Sequence, residues 1–493
     1  MDDMRVDEAG TDTADAAGAA DHAGLRDLFS YPLIDAVRER RTRRVARGVS
    51  IEAGPLSHHS TSEPEPLSPL EEAILIASIG TTGAVLHDGP LTKPGGADEL
   101  GSPFLNVVAG GASSADNAQA THFFMINDEG VWLIRRLRGR EAADFLRDFP
   151  ARWADRTEAD WVAAADHVKR RVYADRMSFP REWPYYLGWN AQHSNAPGTT
   201  CFLPVVDNTR QYINAMLILA SEPAGKAPLF IDDFRTFHPR TLTDWLAWAA
   251  MNLRLVERIP YQPIGGVKRV REGRFTKDVP APLGFVGSAR TDHEAFLGLQ
   301  TLLLTGEALG LGGWIHSCPL PPYVMQRDES AGLLGLGFRE HGPKLSRWRR
   351  WPPTPASQPN YVGIDGVLQG LCPPYVSSMD EAVDMVLEEK YGNGGAYADA
   401  EVFATRYRDR ADAEAYLRLQ APHPREAVAY TKEICSYIYD TYGRFPAHTD
   451  AWNLPGIWAQ FSHVELPYYE RFAAPEHVRR QRETAEIWGR STG

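Results

Sequence analysis

Five arginines stand within the seven residues RERRTRR, Arg38 to Arg44. Such a run is either a solvated charged face or an anion site. As an anion site, Arg40 and Arg44 bring guanidinium groups that fork onto phosphate oxygens, and Thr42 adds a hydroxyl donor. A second basic stretch, REHGPKLSRWRR, carries Lys344 and Arg347. Between them, GGASSADNAQATHFF holds Ser114, Asn117 and Gln119. Small hydroxyl and amide groups suit hydrogen bonding to a flat heteroaromatic ring or a sugar-like chain. The plainer alternative is a loop that binds its own backbone. The fourth stretch, ALGLGGWIHS, sets Gly312 and Gly313 beside His316 and Ser317. Glycines there permit close approach of backbone to a ligand.

These groups need rigid elements to hold them. The strongest is Thr291–Leu309, in which Phe296, Leu297, Leu299, Leu302, Leu303, Leu304 and Leu309 cover nearly every face. A helix apolar almost all round is a buried one, and Thr291 with Glu294 reads as its capping box. Helical spacing also marks 25–37, 69–78, 141–149, 158–173, 242–255, 379–390, 398–408, 411–419 and 425–442. Strands are expected at 122–126 and 131–134, joined by a turn, and at 202–206, 212–220, 229–231 and 332–338. Fold class is therefore α+β, with a central mixed or antiparallel sheet flanked by helices.

At 493 residues and 43% hydrophobic content the chain can bury a large core. Residues 1–24, rich in Ala, Asp and Gly, read as a disordered tail. Residues 25–350 form the main domain, with insertions at about 80–110 and 150–260. A proline-rich change of composition introduces 351–493, expected to be a mostly helical extension packed on that domain. The net charge of −12 argues against nucleic acid or an anionic membrane as the main partner. Four scattered cysteines and no signal peptide point to the cytoplasm. His448 with Asp450, and His463 with Glu465, are spaced i, i+2 as metal ligands could be, but lack helical spacing, and no metal is expected. His193 and Cys201 are candidates to line a pocket. Cys318 is read as a buried thiol.

In order along the chain, RRTRR, SADNAQATHF, the long helix ending in ALGLGGWIHS, and LGFREHGPKLSR resemble the FMN-dependent nitroreductase family. The resemblance covers about residues 30–350. It departs from the family at Asp116, Ala120, Thr121, His316 and Ser317. It implies a flavin oxidoreductase with FMN held by Arg40, Arg41, Thr42, Arg44, Ser114, Asn117, Gln119, Gly312, Gly313, Lys344 and Arg347. His316 and Ser317 would lie next to the reactive ring. It further implies NADH or NADPH as electron donor, a small organic acceptor, and a homodimer whose flavins lie between protomers. A specialised flavin dehydrogenase or reductive dehalogenase, and a non-catalytic flavin-binding scaffold, are the alternatives.

Overall fold

The computed structural model describes residues 22–84, 104–149, 155–189, 191–234, 237, 239–256, 259–260, 269–286, 288–342, 359–398, 400, 407–418, 420, 422–450 and 456–490. Lys344, Arg347, the first 21 residues, most of the 80–110 insertion, the proline-rich stretch and most of 398–408 lie outside them.

The central helix spans Ser288–Ala308, roughly 30 Å at 1.5 Å per residue. It starts a turn before the expected cap, because Thr291 and Glu294 serve other partners. The Thr291 hydroxyl donates to Asn208 Oδ1 at 2.8 Å. The Glu294 carboxylate accepts from the backbone of Ala120 at 3.2 Å and Thr121 at 2.8 Å. Two glycines shape the helix's inner face. A Cβ on Gly298 would strike the Phe123 ring, and one on Gly306 would strike Phe461. The helix thereby accepts two aromatic rings of the sheet below it. Gly310, at φ +68°, turns the chain back.

Among the described residues that sheet has ten strands, all paired antiparallel. Its spine is β6 (Thr200–Asp207), every residue of which is buried. Along one edge of β6 runs β3 (Thr121–Asn127), which turns through Asn127–Gly130 into β4 (Gly130–Ile134) and then meets β5 (Lys169–Tyr173). The other edge of β6 is shared. β14 (His448–Asp450) takes its C-terminal half and leads to β12 (Tyr361–Ile364). β15 (Trp458–Ser462) takes its N-terminal half and leads to β10 (Gly312–His316). Short β11 (Arg339–Glu340) and β13 (Leu368–Gln369) complete it on β12. The result is a curled antiparallel sheet flanked by helices, an α+β fold. A smaller unit holds β7 (Ala227–Asp232) parallel to β9 (Phe275–Pro282) and antiparallel to β8 (Ile259–Pro260).

Several expectations change. Residues 351–493 supply β12, β13, β14 and β15, so this region is woven into the sheet rather than laid on it. The expected strand 212–220 is a helix, α6 (Asn208–Ala220). Asp207 caps it by accepting from Thr209 N at 2.9 Å, and Tyr212, Ile213, Met216, Leu217 and Ala220 are buried at helical spacing. The expected helix 158–173 stops at Val168. Lys169–Tyr173 instead pair with β4, with Lys169 and Arg171 over the Trp132 ring. Residues 332–338 form only isolated bridges, at Leu333 and Leu334; beyond them Gly335 packs against the carbonyls of Tyr323 and Gln326, and Gly337 takes a left-handed φ of +77°. Helix 25–37 breaks at Tyr31–Pro32 into α1 (Ala23–Ser30) and α2 (Leu33–Glu39). Helix α3 (Pro69–Ile79) is buried on nearly all sides, including its carboxylates Glu71 and Glu72. Among the described residues no helix is long and apolar enough to cross a membrane.

Candidate functional site

Residues 42–46 run extended between β10 and the C-terminal segment and then turn at Arg47–Gly48. Thr42 bridges to Gly313 in parallel, and Ala46 bridges to Val464. The Arg47 amide donates to His463 O at 2.9 Å, and the Glu465 amide to Val45 O at 3.0 Å. Extended backbone alternates its side chains. Arg43 and Val45 point inward and are buried, while Thr42 and Arg44 are exposed. Arg43 reaches Glu307 of the central helix at 2.7 Å and His477 O at 2.8 Å.

Thr42 and Arg44 face a cavity of about 320 Å³ shared with Trp314, His316, Ser317 and Cys318; Leu187 and Trp189 form its remaining wall with Ile315. The size falls within the range of small-ligand sites. Among these lining residues Arg44 carries the only permanent charge, its guanidinium carbon 6.0 Å from the Trp314 ring centre. His316 is buried between Trp314 at 4.5 Å and Trp458 at 5.7 Å, centre to centre. Burial, partly offset by Gln460, pushes its pKa down to about 3. The imidazole is therefore neutral at physiological pH and offers a hydrogen bond rather than an acidic proton. Burial pushes the Cys318 thiol up to about 11, so it stays protonated and is no ready nucleophile. Its sulfur lies 3.2 Å from Trp189 O. The arrangement suits a planar ligand bearing one anionic group: aromatic walls, one guanidinium and no carboxylate.

The expected site residues divide into separate groups. Thr42, Arg44, His316 and Ser317 meet at the cavity. Arg40 caps the C-terminus of α2, leading into this segment. Arg41 spends its guanidinium on the carbonyls of Arg38 and Arg40, at 2.9 Å each. Gly312 and Gly313 lie in β10, and what they accommodate is protein. A Cβ on Gly312 would meet Val464 at 2.7 Å, and one on Gly313 would meet Phe461 at 3.1 Å.

Ser114, Asn117 and Gln119 are elsewhere. Three strand spacings separate β3, into which they lead, from β10, roughly 14 Å across the sheet. Their polar groups are already engaged. Ser114 donates to Glu294 and accepts from Gln119 N at 2.9 Å. Asn117 donates to Asn106 O at 2.7 Å and Val108 O at 3.0 Å, and accepts from Gln119 Nε2 at 3.0 Å. Asp116, Asn117 and Gln119 adopt φ near +50°, and this network holds that strained turn. Within one chain the loop binds its own backbone.

Neither His193 nor Cys201 lines the cavity. Cys201 is in the core, 3.5 Å from Gln460 Oε1, with its thiol pushed up by burial to about 11. His193 is buried, and its carbonyl accepts from Gln460 Nε2 at 2.8 Å. The paired tail residues separate too. His448 packs on Phe338. His463 binds Glu71 at 3.1 Å, and Glu465 binds His58 at 3.1 Å. Among the described residues no group of three or more such side chains is arranged to hold a metal ion. The aromatic character of 183–201 was visible in the sequence, but nothing there tied Leu187 and Trp189 to Arg44.

Comparison with known protein families, curated proteins and solved structures gives no match to this chain.

Proposed function

We propose that the chain is an FMN-dependent oxidoreductase of nitroreductase type that works as a homodimer. The observation carrying this reading is the Thr42–Gly313 bridge, which brings the arginine-rich segment and the glycine-rich turn to one cavity. Those two segments are half of the motif set on which the resemblance rests. Arg44 would hold the phosphate, Thr42 and Ser317 would add hydroxyl contacts, and Trp314 and Trp189 would wall the planar part. Bound flavin supplies hydride transfer at its N5 position, between NADH or NADPH and a small organic acceptor. Neutral His316 would orient the ligand without competing for the phosphate.

The loop at Ser114, Asn117 and Gln119 does not reach this cavity within its own chain. The dimer reading has a second support. Leu33, Ile34 and Val37 of α2 and Leu297 of the central helix are exposed, and α2 runs directly into the cavity segment. A second copy would cover that apolar face and complete the site.

The test is the absorption spectrum of the purified protein, followed by the mass of the released cofactor. The expected protein is yellow and bleaches with NADH or NADPH. Arg44→Ala removes a charge-assisted contact of about 1.5–3 kcal/mol and should lower flavin occupancy. Full flavin retention in an Arg40/Arg44 double alanine variant would remove the assignment, and a stable flavin-loaded monomer in sedimentation would remove the dimer. The walls formed by Leu187 and Trp189 favour, as second reading, a flavin dehydrogenase or reductive dehalogenase restricted to one metabolite. Protein that is yellow yet not reduced by either nucleotide would instead mark a non-catalytic flavin carrier.

A further inference from the structure

The two tryptophans of the cavity differ. Trp314 is 3% exposed and Trp189 is 80% exposed, although both line the same space. Trp189 stands midway along the turn-rich segment 181–195, and the backbone on both sides of it is tied down. Before it, the Leu187 amide donates to Cys318 O at 2.8 Å, and the Leu320 amide donates to Tyr185 O at 3.1 Å. The Cys318 thiol donates to the carbonyl of Trp189 itself at 3.2 Å. Tyr186 is buried, and Tyr185 packs on Tyr323 with ring centres 4.7 Å apart. After it, Arg181 donates to the carbonyls of Ala191, Ser194 and Asn195. Gln460 of β15 accepts from the Asn195 amide at 2.7 Å and donates to His193 O at 2.8 Å.

A large aromatic side chain in a core or interface buries about 150–250 Å². This one leaves most of its surface in water at the edge of a cavity, on backbone that is already ordered. Little further freedom is lost when a ligand settles on such a ring, so the indole is pre-organised for stacking.

We propose that Trp189 selects the acceptor, its indole stacking on one face of a planar aromatic acceptor, neutral or anionic, at the cavity mouth. The proposal rests on the flavin reading above, which makes this cavity the place where acceptor and cofactor meet. The other lining residues narrow the class. Arg44 brings positive charge and no carboxylate lines the cavity, which disfavours a cation. A sugar ring also stacks on tryptophan, but its hydroxyls need acceptors, and no carboxylate or amide side chain lines the cavity to accept from them. A flat ring needs apolar contact, which Trp189, Leu187 and the partly exposed Ile315 supply.

The experiment is equilibrium dialysis of the full chain against naphthalene carboxylate and its fully hydrogenated analogue, decalin carboxylate. The two share skeleton and charge and differ in flatness. The wild type is expected to prefer the flat anion. Trp189→Ala should weaken the flat anion roughly tenfold and remove most of the preference, whereas Trp189→Phe should keep it. Neither variant should shift the melting temperature, because the ring is mostly in solvent. A Trp189→Ala variant that binds the flat anion as tightly as wild type would overturn the proposal, whether or not the protein is yellow. So would a wild type that binds the two anions alike, or binds neither. The absorption spectrum of the same samples reports flavin separately. A colourless wild type that still prefers the flat anion through Trp189 would remove the flavin reading alone, leaving Trp189 as the stacking site for a planar ligand.

Discussion

Arg43 and Glu307 form an ion pair in which both side chains are almost wholly buried, 3% and 2% exposed. Removing one partner of such a pair strands a charge in the core, at a cost of about 3–5 kcal/mol, while replacing both with apolar groups is often neutral. Arg43→Met should therefore lower the melting temperature markedly, and Arg43→Met with Glu307→Leu should restore most of it. The single variant should also weaken any ligand of the cavity, since Arg43 fixes the strand that presents Thr42 and Arg44. Calorimetry on the three proteins checks the ordering, and equal destabilisation of single and double variants would contradict it. A second residue-scale prediction concerns pH. Burial opposes ionisation of Glu71, but the His463 hydrogen bond and Arg490 outweigh it and hold its pKa at about 2. A depressed carboxylate stabilises the fold above its unfolded pKa, and that contribution disappears as pH falls from about 4.5 towards 2, on the order of 3 kcal/mol in all. Glu71→Gln should lower stability at neutral pH and flatten this stretch of the acid denaturation curve. An unchanged acid limb would sink the idea.

The helices with strong signals were readable from sequence. Arg425–Tyr442 lies where its apolar spacing placed it, and Thr121–Asn127 with Gly130–Ile134 form the hairpin expected there. Helix α6 was misread because Tyr212, Ile213, Leu217 and Ile218 are as suited to strands as to helices, and what decides is the Asp207 cap. The C-terminal strands escaped because they are two to five residues long and lie among prolines and aromatics. At the site, the convergence of Arg44 with His316 and Ser317 was legible through the motif order. The engagement of Asn117 and Gln119 with their own loop was not, since it depends on left-handed backbone that composition does not reveal. One prediction belongs to this scale. In an unobstructed helix, Gly→Ala gains about 1 kcal/mol. At Gly298 the added methyl would lie 2.7 Å from the Phe123 ring, so overpacking of about 1–3 kcal/mol should win. Gly298→Ala is expected to melt lower than wild type, and Gly298→Ala with Phe123→Leu to recover part of the loss. A higher melting point for the single variant would show that the ring has room to move.

Across the whole molecule, the sheet joins strands that run from Thr121 to Ser462. Ending the protein near Trp351 removes four of ten strands and bares one edge of β6. That edge would be a template for aggregation, so residues 25–350 alone should be insoluble or melt without cooperativity. A soluble fragment with a sharp transition would contradict this. The shared edge also sets a schedule for synthesis. Cys201 reaches its neighbour Gln460 across 259 residues of chain, so more than half of the protein must follow β6 out of the ribosome before that edge can close. During that interval β6 can pair on one side only, and loop closure of this length is slow. The nascent chain would then expose an unpaired hydrophobic strand for most of its synthesis. Its yield in a cell should depend on a chaperone able to cover one strand edge until the last few dozen residues arrive.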